Sequence, residues 1–459
     1  MLSIENFSLL YDENLILNNI NLEIKEGSVI VVTGESGCGK SSLIRAINGI
    51  ATEIYGAKVS GDIKLDNKSI LQDSITERSK YISTVFQNPK TQFFCTNSTD
   101  EIAFALENRN IPREKIFEKI DFYSNLLDTK HLLDRNLYEL SIGEKQLIAV
   151  NSVAIMDNKI YLFDEPSSSL DRKSINKLLN AISKLKEMGK IVIISEHRLY
   201  YLRNIMDNLC VIKNKELHIY PKDEINNGLT EKYNLRELEE TKKEDLVNDK
   251  YFIKNIFDKN FDNKKDLKCL DFYCKYDKKD IFNFNLSFNK GIYFILGNNG
   301  IGKTSFVRNL CKLNKRQKGK LYINDKLIKY PEEEIAIVMQ DVNYQLFTES
   351  VESEISIVTD DEEVKKKYLV ELGLYDKKDR HPQSLSGGEK QRLAIALAMA
   401  SNKKIIVLDE PTSGLCYKNM LIMIKLIKEM KLEGKTVLIV THDYEFIKLS
   451  DENIIEFVK

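Results

Sequence analysis

No stretch of this 459-residue chain approaches the ~20 consecutive apolar residues that a membrane-spanning helix requires. Neither charge is in excess: 68 Lys and Arg face 69 Asp and Glu. The global field expected of a nucleic-acid binder, or of a protein held on an anionic membrane, is therefore missing. Seven cysteines, at positions 38, 95, 210, 269, 274, 311 and 416, show no paired metal-ligand spacing, which leaves reduced thiols in place of a disulfide frame or a zinc site. The opening residues MLSIENFSLLYDEN carry Glu5, Asp12 and Glu13 where a leader would be basic and then apolar. These absences predict a cytoplasmic protein with no nucleic-acid partner, and the length predicts two to four domains.

What is present is a repeat. Gly34 to Ser41 reads GESGCGKS and Gly297 to Thr304 reads GNNGIGKT, both fitting the phosphate-binding loop G-x-x-x-x-G-K-[ST]. Each follows an apolar run, Val29 to Val32 or Ile292 to Leu296, and enters a helical pattern, Ser42 to Asn48 or Ser305 to Cys311. Glycines let backbone N–H groups turn inward around a phosphate, while the helix start presents its partial positive charge to the same anion. The candidate nucleotide contacts are Gly34, Ser36, Gly37, Gly39, Lys40, Ser41 and Ser42, and in the second half Gly297, Asn299, Gly300, Gly302, Lys303, Thr304 and Ser305. Lys40 and Lys303 suit the β and γ phosphates, and Ser41 and Thr304 suit Mg²⁺. Among the loop's amides, the Cys38 thiol is expected to have a depressed pKa.

The other chemistry-bearing positions also come in pairs. Tyr11 and Tyr276 sit near strand ends ahead of each loop, placed either to stack on adenine or to pack. Gln87 and Gln340 follow apolar strands and open similar text, QNPKTQFF and QDVNYQLF; a glutamine there can reach Mg²⁺ or the attacking water. Pro112 to Asn136 and Asp361 to Tyr375 read as helical insertions, each leading to a serine turn, LSIGEKQ with Ser141 and Gly143, and LSGGEKQ with Ser386, Gly387 and Gly388. A serine at a helix start makes a second anion site. Asp164 and Asp409 lie 23 residues beyond Ser141 and Ser386, ending IYLFDEP and IIVLDEP, and His197 and His442 lie 33 residues further on. The first acid of each pair suits Mg²⁺; the second, Glu165 or Glu410, suits the water that attacks the γ-phosphate. All these strands are continuous Val, Ile and Leu runs, the mark of parallel strands covered on both faces.

The ordered set of phosphate loop, glutamine turn, LSGGEKQ, Asp-Glu-Pro strand end, SSLD or SGLC loop and histidine resembles the nucleotide-binding domain of ATP-binding-cassette (ABC) ATPases, twice over. The resemblance implies an α/β fold of two P-loop, RecA-like domains, residues 1–220 and 266–459, each with a helical subdomain and a small antiparallel β layer, joined by a polar linker, 221–265. It implies ATP and Mg²⁺ as cofactors, with Ser41, Gln87, Asp164, Thr304, Gln340 and Asp409 as Mg²⁺ ligands. Glu165 and Glu410 then match the catalytic base, His197 and His442 the switch histidine, and Tyr11 and Tyr276 the adenine-stacking position. Domains of this family pair head-to-tail, here within one chain or between chains. The text after each glutamine is similar to that of energy-coupling-factor (ECF) transporter ATPases, which implies vitamin or transition-metal uptake. It also implies an integral membrane partner docking near the glutamine turns, at Gln92, Phe93, Phe94, Gln345, Leu346 and Phe347, so that the protein would lie at the cytoplasmic face of a prokaryotic membrane through that partner. A tandem ABC protein acting on ribosomes and a sugar-importer ATPase are the alternatives.

Two departures from the family pattern, Ile142 for glycine in the first signature turn and Cys416 where Asp171 stands in the first half, predict unequal ATP sites. Loss of a glycine is expected to hinder approach of backbone to phosphate. Single-turnover hydrolysis by Glu165→Gln and Glu410→Gln variants should therefore differ in rate, and identical rates would contradict the inequality.

Overall fold

The computed structural model describes residues 1–246, 265–276, 279–298, 300–313 and 317–458. It divides into two compact units, residues 1–240 with 414–418, and residues 241–413 with 419–459. No described helix is long and apolar enough to cross a membrane.

In the first unit the strand Val29–Gly34 lies inside a six-stranded sheet. The order across it is Glu216–Pro221, Asn208–Lys213, Val29–Gly34, Ile191–Ser195, Ile160–Asp164, Ile82–Val85. All neighbours run parallel except the outer pair formed by Glu216–Pro221 and Asn208–Lys213. The apolar runs read from the sequence are these buried strands. Val29 and Val31 point into one core with the helices Ser98–Glu107, Arg113–Leu126, Ile142–Ala154 and Arg172–Glu187. Ile30 and Val32 point into a second core, as the two-residue period of a strand requires. That second core is closed by the helix Lys40–Asn48 and by an antiparallel sheet ordered Asn14–Ile24, Leu2–Tyr11, Lys58–Leu65, Lys68–Ser69.

Arg78 braces the far end of the phosphate-loop helix. It is 1% exposed and donates to the carbonyls of Ala46 (2.7 Å), Ile47 (3.0 Å), Leu71 (2.8 Å) and Asp73 (3.0 Å). The first two lie in the last turn of that helix, where Ala46 O accepts also from Gly49 N (3.3 Å), and a cation suits that negative end.

The second unit repeats the plan. Its parallel sheet is ordered Ile335–Val338, Ile405–Asp409, Thr436–Val440, Ile292–Gly297, Asn453–Phe457, and its antiparallel layer Lys279–Phe288, Leu267–Tyr276, Gln317–Ile323, Lys326–Ile328. The helices Glu362–Glu371 and Gly387–Ala400 form the corresponding insertion.

The expected linker differs from what is seen. Residues 221–240 belong to the first unit, because Leu229, Tyr233, Leu235 and Leu238 of that charged stretch are buried in its helical core. The few apolar residues among the charges fall on one side, and a composition count overlooks such a pattern. Residues 247–264 of the expected linker lie outside the described residues. Leu238→Ala should thus lower stability by about 2–5 kcal/mol in denaturant unfolding, the cost of truncating a core leucine. A solvated connector would tolerate the change.

Candidate active site

The two phosphate loops adopt the same backbone. Gly34, Gly37 and Gly39 have φ of 147°, 79° and 110°, and Gly297, Gly300 and Gly302 have 147°, 75° and 112°. A Cβ on Gly34 would meet the Ile212 carbonyl oxygen at 2.6 Å, and one on Gly39 would meet Leu17 Cδ2 at 2.9 Å, so both positions require glycine for conformation and for space. Lys40 and Lys303, buried at the helix starts, donate Nζ back to the loop: Lys40 to Glu35 O (3.2 Å) and Lys303 to Gly297 O (2.6 Å). Ser36 is exposed, Ser42 and Ser305 are half-buried, and Thr304 is exposed. Asn299 lies outside the described residues, as does the side chain of Tyr276. The Tyr11 hydroxyl is buried with no hydrogen-bond partner among the described residues, and its ring meets that of Tyr55 edge-on at 6.3 Å.

Parallel pairing carries the acids and histidine to this loop. The Ser41 hydroxyl donates to Asp164 Oδ1 at 2.9 Å. Glu165, one residue past the strand, takes a left-handed φ of 46° and donates its N–H to Ser195 O (2.8 Å); Glu410 repeats this with φ 50° and Val440 O (2.8 Å). Non-glycine residues rarely adopt this conformation, and the strain recurs here at both candidate bases. Gln87 Nε2 donates to Glu165 Oε2 (2.8 Å), so the glutamine turn engages the glutamate directly. Gln340 is half-buried two residues beyond the strand Ile335–Val338. His197 Nε2 lies 3.5 Å from Glu165 Oε1, and His442 Nε2 3.8 Å from Glu410 Oε1.

Burial sets the protonation states. It pushes Glu165 up to about 8, against the pull of Lys40, with Asp164 and Glu196 adding repulsion. It holds His197 well below its ordinary value, helped by Lys40 and Arg236. The 3.5 Å contact is therefore between a neutral imidazole and a carboxyl that is largely protonated at neutral pH. Burial likewise raises Asp409 to about 6, opposed by Arg308 and Lys303. Cys38 departs from expectation: its thiol is pushed up, because loss of solvent outweighs Lys40 and the loop amides.

The serine turns have one geometry. Ser141 (φ −63°, ψ 162°) and Ser386 (φ −64°, ψ 159°) cap the helices that follow, each within a capping box closed by Glu144 or Glu389. Ile142 leaves the turn unchanged and packs its side chain against the helical core, and a Cβ on Gly387 would meet nothing within 4 Å beyond its own helix backbone and chain neighbours among the described residues. The glycine that matters sterically is Gly143, whose Cβ would collide with Ser174 Oγ at 2.1 Å. Gly388 is half-buried in the first turn of its helix.

Two glutamates escaped the sequence reading. Glu101 accepts from the N–H groups of Phe94 (2.9 Å) and Cys95 (2.8 Å); Glu354 accepts from those of Phe347 and Thr348. Both stand in the first turn of a helix beyond the aromatic turns, a place where an acid reads only as complementing the helix dipole.

Phosphate loop, paired acids and histidine on adjacent parallel strands, twice in one chain, define a two-domain P-loop ATPase. The ABC transporter family model matches residues 17–168 and 281–413, and the chain belongs to that family, whose domains are ATPases. An ABC transporter ATP-binding protein of Treponema denticola is 37% identical over 467 residues, covering 98% of this chain and 93% of that protein. One from Clostridium perfringens is 31% identical, covering 96% and 85%. Among solved structures, a model of ribosome-bound archaeal Pelota and ABCE1 shares the fold, with TM-score 0.70 and 23% identity over 99% of this chain and 76% of that one.

The Glu165 shift has a measurable consequence. A carboxyl raised from 4.5 to about 8 binds more proton folded than unfolded across that window, so stability is present below it and lost as pH rises through about 8. Nucleotide-free wild type should melt progressively lower than Glu165→Gln between pH 5 and 8.5. Parallel melting curves would refute the shift.

Proposed function

We propose that this chain is the ATP-hydrolysing subunit of a membrane importer of the ECF type. The observation that carries the reading is an exposed aromatic residue beside the glutamine turn of each unit: Phe94, 76% exposed, and Phe347, 75% exposed. The backbone N–H of each is held by a buried glutamate, Glu101 or Glu354, and Phe94 is stacked on Phe104 at 5.0 Å. An exposed aromatic with its backbone pinned suits a docking partner. The other docking candidates divide. Gln92 and Gln345 brace the turn by accepting from Phe86 N (3.2 Å) and Met339 N (2.7 Å), Leu346 is buried, and Phe93 packs on the core. The relatives described as transporter ATP-binding proteins support the same reading.

Hydrolysis follows from the residues present. In its ionised form, which the Lys40 charge favours, Glu165 orients the water and takes up its proton as the water oxygen bonds to the γ-phosphorus; the bond to the bridging oxygen breaks, and ADP and phosphate result. Lys40 would neutralise phosphate charge as the loop amides hold it, and the neutral His197, whose Nε2 has no hydrogen-bond partner among the described residues, would contact the γ-phosphate. The oxygen-only set of Ser41 and Asp164, with Thr304 and Asp409 in the second unit, fits Mg²⁺, which supplies charge neutralisation at the phosphate oxygens. Loss of the γ-phosphate would leave Gln87 on Glu165 alone, and paired domains, within one chain or between chains, would reopen and move the membrane partner.

Affinity purification of tagged full-length protein from its native cells in mild detergent tests this. Small, very hydrophobic integral membrane proteins should accompany wild type and be lost from a Phe94→Ala/Phe347→Ala variant. Ribosomal proteins and rRNA in their place would overturn the importer reading and favour action on ribosomes; a different class of membrane subunit would point to sugar import.

A further inference from the structure

We propose that Glu196, acting with Arg198, is a positioning residue for ATP hydrolysis in the first unit: it ties the turn carrying His197 to the serine turn Ser167 to Leu170, so that the two move as one piece. Glu196 is 2% exposed and lies one residue past the strand Ile191–Ser195, where its own N–H extends the sheet by donating to Val32 O (2.9 Å). Its two oxygens divide their work. Oε1 accepts from the N–H groups of His197 (2.8 Å) and Arg198 (3.2 Å), within its own turn. Oε2 accepts from Ser167 N (3.3 Å), in the turn that follows Glu165, and from Tyr201 Oη (2.9 Å).

Arg198, 8% exposed, returns the grip from the same turn: its Nη1 donates to Ser167 O (3.2 Å) and Leu170 O (3.4 Å). Ser167 is thus held at both its N–H and its carbonyl. The next residue after Leu170, Asp171, caps the helix Arg172–Glu187 through Ser174 N (2.9 Å). Displacing His197 from Glu165, 3.5 Å away, means breaking this bridge or carrying the serine turn and that helix start along. A buried carboxylate is costly unless its lone pairs are met, and here four donors from two segments meet them. Such a filled network fixes one geometry.

The second unit is built differently at the matching positions. Thr441 and Asp443 flank His442. The Thr441 hydroxyl donates to Glu410 Oε2 (3.2 Å) and accepts from Asp443 N (3.1 Å), while Asp443 caps the helix Tyr444–Ser450. There the histidine turn is tied to the candidate base itself; in the first unit it is tied to the segment beyond the base. The proposal rests on ATP hydrolysis alone and is independent of the transported substance or partner.

Glu196→Gln keeps the shape but turns an N–H toward one of the backbone donors, so one half of the bridge must break. Arg198→Ala removes the grip on the two carbonyls. In steady-state ATPase assays of the full chain, each folded variant should lose roughly tenfold to hundredfold in kcat, the scale of a small misplacement, with KM for ATP within roughly twofold. The double variant should be no slower than the slower single one, since one broken bridge already frees the turn. Wild-type kcat in folded Glu196→Gln, a loss confined to KM, or losses that multiply in the double variant would each overturn the proposal. If the variants do not fold, hydrogen exchange on wild type decides: segments 167–171 and 196–199 should open as one unit, and a tenfold difference in their protection would overturn it.

Discussion

The register of three parallel strands determines the rest of the site. Val32 pairs with Ser195, and Ser195 pairs with Asp164, so one row across the sheet joins the phosphate-loop strand, the histidine strand and the acid strand. The second unit has the matching row in Ile295, Val440 and Asp409. Parallel strands end together at their carboxyl edge, and the loops leaving that edge must share one crevice. Residues 123 positions apart, Ser41 and Asp164, thereby reach hydrogen-bonding distance.

That crevice is largely buried at its base, and burial controls its chemistry. Glu165 holds its proton up to about 8, and His197 is kept neutral beside it. Two groups that would form an ion pair in water are here in mutually compatible neutral forms, linked to the glutamine turn by Gln87. Charge brought to or removed from Lys40 shifts this balance, because Lys40 is the largest influence opposing burial at Glu165. A nucleotide phosphate at the loop is such a change, which makes the candidate base sensitive to whether the loop is filled.

The two units share backbone geometry and differ in side-chain wiring. Loop dihedrals agree within a few degrees, and the left-handed glutamates and the capped serine turns recur. Around the histidines, Glu196 and Arg198 stand where the second unit has Thr441 and Asp443. Ile142, the conspicuous departure, leaves the signature turn as it is; the difference lies in which segment each histidine turn is tied to.

The glycines, lysines, acids and histidines of both halves, and the parallel α/β architecture, were legible in the sequence because phosphate loops and fully buried strands restrict residue type at fixed spacing. The attachment of residues 221–240 to the first unit was not, since five apolar side chains among many charges carry no composition signal. The raised Cys38 thiol was not either, because the sequence shows the neighbouring amides and Lys40 but not the loss of solvent that outweighs them. Glu101 and Glu354 each read as one acid among 69. What makes them different is which backbone N–H groups surround them, and those belong to segments that meet only when the chain has folded.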